Sequence, residues 1–235
     1  MAQKNPQRLY ITDENEAAVK LPFKLINNLI IIKLQINNSD TLNFILDTGI
    51  TTTIINQKDA LRLQSLKVLK EYRVNGLGNG SGMLAKHSPE NEVKLNGIIG
   101  CHQDLLIMEQ DEPDFSNLLG IPIHGLLGYT LFKDFIIEIN YDGHYLILHT
   151  PKKYTYKLKR KQISIPLSFI ENKPYIEAVV IQDNNAKIPV KLIMDLGGSH
   201  SLWFNLLSNP SLQLPQRNAK MTLGVGLNGL LCTIR

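Results

Sequence analysis

Cysteine is nearly missing from this chain of 235 residues: Cys101 and Cys232 stand alone and far apart. That excludes a disulfide-stapled scaffold and any four-cysteine zinc site. The six histidines are scattered, with no H-E-x-x-H pair, so no metal ligand set is expected. Long apolar runs are missing too. The longest, Leu29 to Ile32, is far short of the ~20 residues that a membrane-spanning helix needs. No sign of charge dominates: 25 Lys and Arg stand against 21 Asp and Glu, a net charge of +4. A polyanion-binding face is therefore not indicated. Much of the excess sits in KKYTYKLKRK, Lys152 to Lys161, which reads as a solvated linker because its charges line no single face. The opening stretch MAQKNPQRLYITDENEAA is polar and is not a signal peptide.

What remains is an ordinary globular composition, 43% hydrophobic and 20% charged, enough for one large domain or two small ones. The pattern is β-rich. NNLIIIKLQINNSDTLNFILDTG reads as two strands around Asn37-Asn38-Ser39-Asp40, and TTTIIN as a third, rich in β-branched residues. QKDALRLQ is a short helix candidate. LKVLKEYRVNGLGNGSGMLAKH reads as a strand, a glycine-rich tip and a returning strand. DFIIEINYDGHYLILHT is a hairpin whose Asp142-Gly143 pair predicts a type I′ turn.

One stretch, FILDTGITTTII, raises a chemical question. Asp47 is delivered from the end of an apolar strand into a tight turn. An Asp-Thr-Gly tripeptide alone is more often a turn than a catalyst. A second occurrence changes the balance. MDLGGSHSLW places Asp195 148 residues after Asp47. At that offset Gly197 falls on Gly49, Ile193 on Ile45, Leu202 on Ile54, Gly224 on Gly76 and Gly226 on Gly78. A strand, an aspartate turn, a strand and a glycine tip thus recur in order, which predicts two copies of one unit. The second copy stops at Arg235, before any counterpart of residues 88–150.

These motifs resemble the aspartic proteases of the retropepsin and pepsin clan, and most closely the layout of bacterial two-lobe members. The resemblance rests on Leu46-Asp47-Thr48-Gly49 after Phe44-Ile45, on the glycine hairpin of residues 75–82, and on Leu126-Leu127-Gly128 in GLLGYTLF. It covers residues 25–150 and, in part, 174–235. It implies an all-β fold: a closed β-barrel lobe followed by a partial second copy. The expected division is an N-terminal extension over 1–24, a first lobe over 25–150, a basic linker over 151–162 and a partial second lobe over 163–235.

The resemblance also implies roles. Asp47 and Asp195 would be the catalytic carboxylates, supported by Thr48, Gly49 and Gly197 in their turns. Gly76, Leu77, Gly78, Asn79 and Gly80 would form a flap over an extended peptide substrate. Leu126, Leu127 and Gly128 would back the first aspartate loop. Leu196 stands where the family has Thr or Ser, so half of the hydrogen-bond lock between the two turns should be absent. No cofactor, metal or nucleic acid is called for. A missing C-terminal segment or a second molecule would complete the site, and the bacterial layout implies export with the leader removed, a cytoplasmic location being the alternative.

Other readings of these residues are weaker. GLGNGSG is followed by no helix pattern, which argues against a nucleotide cradle. His200 and Ser201 are adjacent and would point apart on a strand, so they suggest no nucleophile–base pair. The rival from another class is a peptide-binding protein on the same fold that does not cleave.

Overall fold

The computed structural model describes residues 7–63, 65–74, 83–109, 114–157, 160–214, 220–226 and 229–234. The first part of the chain forms β1 (Leu9–Ile11), β2 (Ala18–Pro22), β3 (Lys24–Ile26), β4 (Leu29–Ile36), β5 (Leu42–Leu46) and β6 (Thr53–Ile55). Helix α1 (Gln57–Arg62) follows, then β7 (Lys70–Val74), β8 (Met83–Leu95), β9 (Ile98–Met108), α2 (Phe115–Leu119), β10 (Gly125–Leu127) and α3 (Thr130–Asp134). The hairpin β11 (Ile136–Asn140) and β12 (Tyr145–His149) ends this part. Beyond it lie β13 (Ser168–Ile170), β14 (Lys173–Ile181), β15 (Lys187–Ile193), β16 (Lys220–Gly226) and β17 (Gly229–Ile234).

The fold class is all-β, as expected. Strands β4, β5, β10, β6, β9 and β8 pair in that order, and β8 returns to β4, so the sheet closes into a six-stranded barrel. Closure leaves no free edge among these six strands. The apolar run of β4 follows from its place in this barrel. Ile30, Ile32, Leu34 and Ile36 face the main core, together with Phe44 and Leu46 of β5. Leu29 and Ile31 face a second apolar cluster, with Ile45, Ile54 and Leu126. A strand buried on both faces needs apolar residues at consecutive positions, not alternate ones. Each such side chain contributes roughly 1.5–3 kcal/mol of burial.

Two expectations need correction. Residues read as an N-terminal extension take part in the first lobe: β1 pairs with β9, and β2 joins β11 and β12 in a three-stranded sheet. Buried Asp134 ties β1 down, accepting from Arg8 Nε at 2.7 Å and from Leu9 N at 2.8 Å. Strands of three and five residues in a polar context carry too little periodicity to be read. The type I′ turn at Asp142-Gly143 is also not found. Four residues separate Asn140 from its partner Tyr145, and the left-handed residue is His144, with φ of 53°. The Gly143 N–H is instead held by Asn140 Oδ1 at 2.6 Å.

Two-residue left-handed turns do occur, at Asn27-Asn28 (φ 49° and 64°) and Glu171-Asn172 (φ 50° and 62°). They open two similar constructions. After the first turn Ile31 pairs with Ile45, two residues before Asp47; after the second, Tyr175 pairs with Ile193, two residues before Asp195. The register is the same in both. The β14–β15 hairpin is longer than β4–β5, so the offset that aligns the aspartates, and β15 with β5, does not align β14 with β4.

Candidate active site

β5 carries Asp47 to the end of the barrel, where β10 runs parallel beside it: Leu126 lies opposite Ile45 and Leu127 opposite Leu46. β10 also pairs antiparallel with β6, so it is wedged between the strands on either side of the aspartate loop. Gly125 is required for this insertion. A Cβ there would overlap the Ile54 carbonyl oxygen and lie 2.6 Å from Phe44 Cε1. Leu127 O accepts the Asp47 N–H at 2.9 Å, and Ile50 O accepts the Tyr129 N–H at 3.0 Å. A Cβ on Gly128 would meet Ile50 O at 2.9 Å. The loop that bears Asp47 is thus stitched along both sides to the Leu126-Leu127-Gly128 segment.

Within the loop, Asp47 Oδ1 accepts the Gly49 N–H at 2.6 Å. Asp195 Oδ1 accepts the Gly197 N–H at 2.8 Å in the same way. The two turns face each other. A Cβ on Gly49 would lie 3.1 Å from Asp195 Oδ2, and one on Gly197 would lie 2.6 Å from Asp47 Oδ1. Each glycine leaves space that the opposite carboxyl approaches: a Cβ at Gly197 would overlap the Asp47 carboxyl, which requires glycine there, and one at Gly49 would crowd both carboxyls.

Thr48 joins the turns. Its hydroxyl donates to Met194 O at 2.5 Å and accepts from Leu196 N at 2.9 Å. Leu196 has no hydroxyl with which to return these bonds. Its side chain packs against the main core of the first lobe instead. Outside the turns, Asn28 Nδ2 donates to Ser199 O at 3.1 Å, and the rings of Tyr129 and Phe169 meet at 6.0 Å.

The surroundings act strongly on the Asp47 carboxyl. Asp47 is 9% exposed, and its pKa rises to about 7. Burial is the largest cause, followed by the charge of Asp195. The Gly49 N–H opposes this, a hydrogen bond with the Asp195 side chain adds to it, and Lys173 lowers it. Two carboxyls this close do not both ionise readily, and a proton held between them would relieve the repulsion. Aspartic-protease dyads are the established example of such sharing, in which the protons belong to the pair and not to either residue.

Residues 32–131 match the family model of the aspartyl proteases. The match spans β5, the aspartate turn and Leu126-Leu127-Gly128. Among solved structures, the chain is similar to a retropepsin-like aspartic protease from Rickettsia conorii, at 20% identity and a TM-score of 0.39, over 57% of this chain and 91% of that one. It is also similar to the EIAV protease, solved with the inhibitor HBY-793, at 23% identity and a TM-score of 0.30, over 44% of this chain and 85% of that one. No curated protein matches the chain. The family match supports a protease-type function.

Of the residues singled out in the sequence, Asp47, Thr48, Gly49, Asp195, Gly197, Leu126, Leu127 and Gly128 converge on this one place. The proposed flap residues Gly76, Leu77, Gly78, Asn79 and Gly80 lie outside the described residues. Their flanking strands β7 and β8 pair as expected, with Val74 opposite Met83. Among the described residues no cluster of His, Cys, Asp and Glu could hold a metal ion, and no helix is long and apolar enough to cross a membrane. The sequence reading missed Lys173, whose charge reaches Asp47. It also missed Ile50, whose carbonyl holds Tyr129. Nothing local marks either residue.

Proposed function

We propose that this chain is an aspartic endopeptidase that hydrolyses extended peptides with the Asp47 and Asp195 carboxyls and a water held between them. The observation that carries this reading is the reciprocal approach of the two glycine turns, each carboxyl approaching the space left by the opposite glycine. With one proton shared, the ionised carboxylate takes a proton from the water as it attacks the scissile carbonyl carbon. The protonated carboxyl polarises the carbonyl oxygen and later donates to the leaving nitrogen. Thr48 acts by holding Met194 and Leu196, and through them the Asp195 turn. Gly49 and Gly197 hold each carboxylate by an N–H and keep the space between the turns clear. The β7–β8 hairpin would cover the substrate, which would add as a strand by backbone hydrogen bonds.

The experiment is cleavage of a mixed peptide library at pH 4–6, with and without pepstatin. Pepstatin-sensitive cleavage that disappears in Asp47→Asn is the expected result. Binding without cleavage, unaffected by that substitution, would favour the rival peptide-binding reading.

One observation supports that rival. Among the described residues no strand lies beside β15 as β10 lies beside β5, and Ile193 and Met194 are 38% and 46% exposed. A further polypeptide segment that fills this place is therefore part of the proposal, and the 235-residue chain alone should be weakly active. Full activity of the chain as a monomer, abolished by Asp195→Asn, would show that no such segment is needed.

A further inference from the structure

We propose that Lys173 is a specificity-determining residue, and that the site prefers peptides with a carboxylate side chain next to the scissile bond. This rests on the endopeptidase reading and adds a substrate class to it.

The inference starts from register. Leu29 and Lys173 are each the first residue after a left-handed two-residue turn, Asn27-Asn28 or Glu171-Asn172. Each pairs across its hairpin with the residue before the turn, Leu29 with Ile26 and Lys173 with Ile170. They hold matching places in the two constructions that deliver the aspartates. The first lobe fills its place with a buried leucine, 7% exposed, that belongs to an apolar cluster. The second puts an ammonium there.

The next residue, Pro174, accepts the Met194 N–H at 2.8 Å. Met194 O in turn accepts from the Thr48 hydroxyl. Lys173 thus precedes the residue whose carbonyl holds Met194, and Met194 is the residue that the Thr48 hydroxyl ties to the first turn. The neighbouring strand β13 carries Phe169, whose ring packs on Tyr129 of the first lobe. Lys173 therefore stands at the junction of the lobes, half-buried. Its charge acts on Asp47, and among the described residues no carboxylate forms an ion pair with it. The carboxyl pair is its charged neighbour but forms no direct ion pair with it, so the half-buried ammonium keeps hydrogen-bonding capacity that no carboxylate of the described residues uses. A substrate carboxylate would supply the missing partner, and charge-assisted hydrogen bonds of this kind are worth about tenfold or more in affinity. A substrate lysine at the same place would be repelled.

The test uses matched peptides that differ only in Glu, Gln or Lys beside the scissile bond, and matched statine-containing inhibitors with the same three residues. The expected kcat/KM order is Glu, Gln, Lys, with about tenfold between the extremes. The ratio should fall towards one in Lys173→Met and invert in Lys173→Glu. Equal ratios in the parent chain and both variants would overturn the proposal. So would a uniform loss on all three peptides with a moved pH profile, because Lys173 would then act on the dyad alone. Inhibitor binding separates the two readings. Acid-selective binding lost in Lys173→Met, without cleavage of any peptide, would keep the role of Lys173 and remove the endopeptidase. Cleavage without charge preference would do the reverse.

Discussion

The two aspartate turns are built alike and supported differently. Ile45 and Leu46, which precede Asp47, are 1% and 0% exposed, whereas Ile193 and Met194, which precede Asp195, are 38% and 46% exposed. β5 lies between β4 and β10, and the Leu127 carbonyl accepts the Asp47 N–H at 2.9 Å. β15 has β14 on one side, and among the described residues no strand on the other. Both turns close the same hydrogen bond from the glycine N–H to the carboxylate. The local turn therefore forms without the wall, and the wall decides how deeply the carboxyl is buried. Asp47 is buried and Asp195 half-buried, so the two carboxyls face each other from unequal surroundings.

The sharpest test of this difference is catalytic. Asp47→Asn and Asp195→Asn should each lower kcat by about 10³-fold, in the range that positioned acid–base groups supply. Single-turnover cleavage of one peptide measures both. A loss confined to Asp47→Asn would mean that the second turn is scaffold and that the resemblance between the turns is not functional.

Core truncation comes next. Ile45→Ala should cost about 2–5 kcal/mol, and Ile193→Ala under about 0.5 kcal/mol, because only the first leaves a cavity. Denaturant midpoints for the two variants give the contrast directly. Equal costs would mean that Ile193 is covered in solution.

A third prediction concerns pH. Asp47 titrates near 7 in the folded chain, raised by burial and then by Asp195. An aspartate in the unfolded chain titrates near ~3.9. Between these values the unfolded state has released a proton that the folded state keeps, so the contribution present below about pH 4 is lost as pH rises towards 7. Urea unfolding should show a decline of about 2–4 kcal/mol across this window. Asp47→Asn should flatten it and be the more stable form at pH 8. An unchanged slope would place the pair's proton elsewhere.

The smallest effect belongs to the link between the turns. Thr48→Val removes the donor to Met194 O and the acceptor of the Leu196 N–H, and should cost about 1–3 kcal/mol. Hydrogen exchange at Leu196 and Gly197 should rise more than at Leu46. A rise at Leu46 alone would show that the first turn, not the second, depends on this hydroxyl.

Much of the first lobe could be read along the chain because its signals are local. The apolar run of β4, the β-branched residues of β6 and the glycine beside Asp47 each state their own conformation. The two short strands β1 and β2 could not be read that way, because their pairing with β9 and β12 is remote and their own residues are polar or few. The hairpin turn at Asp142-Gly143 misled for a related reason. The Asn140 side chain offers Gly143 an acceptor, and a four-residue loop wins over a two-residue one. Leu196 is legible only in part. The missing hydroxyl follows from its identity, but its packing on the first-lobe core depends on how the lobes meet.

Residue identity along the chain was enough to specify the aspartate turns, since the bond from a glycine N–H to the carboxylate two residues before it needs no third partner. It was also enough to permit a close strand at Gly125 and Gly128, by omitting a side chain at each. Three features came from the folded arrangement alone: Asp47 meets Asp195, β10 is inserted between β5 and β6, and Lys173 stands at the junction while Leu29 is buried. Burial and Coulomb interactions depend on distance in space. Between groups 148 residues apart, that distance is set by the packing of the barrel and not by any local rule.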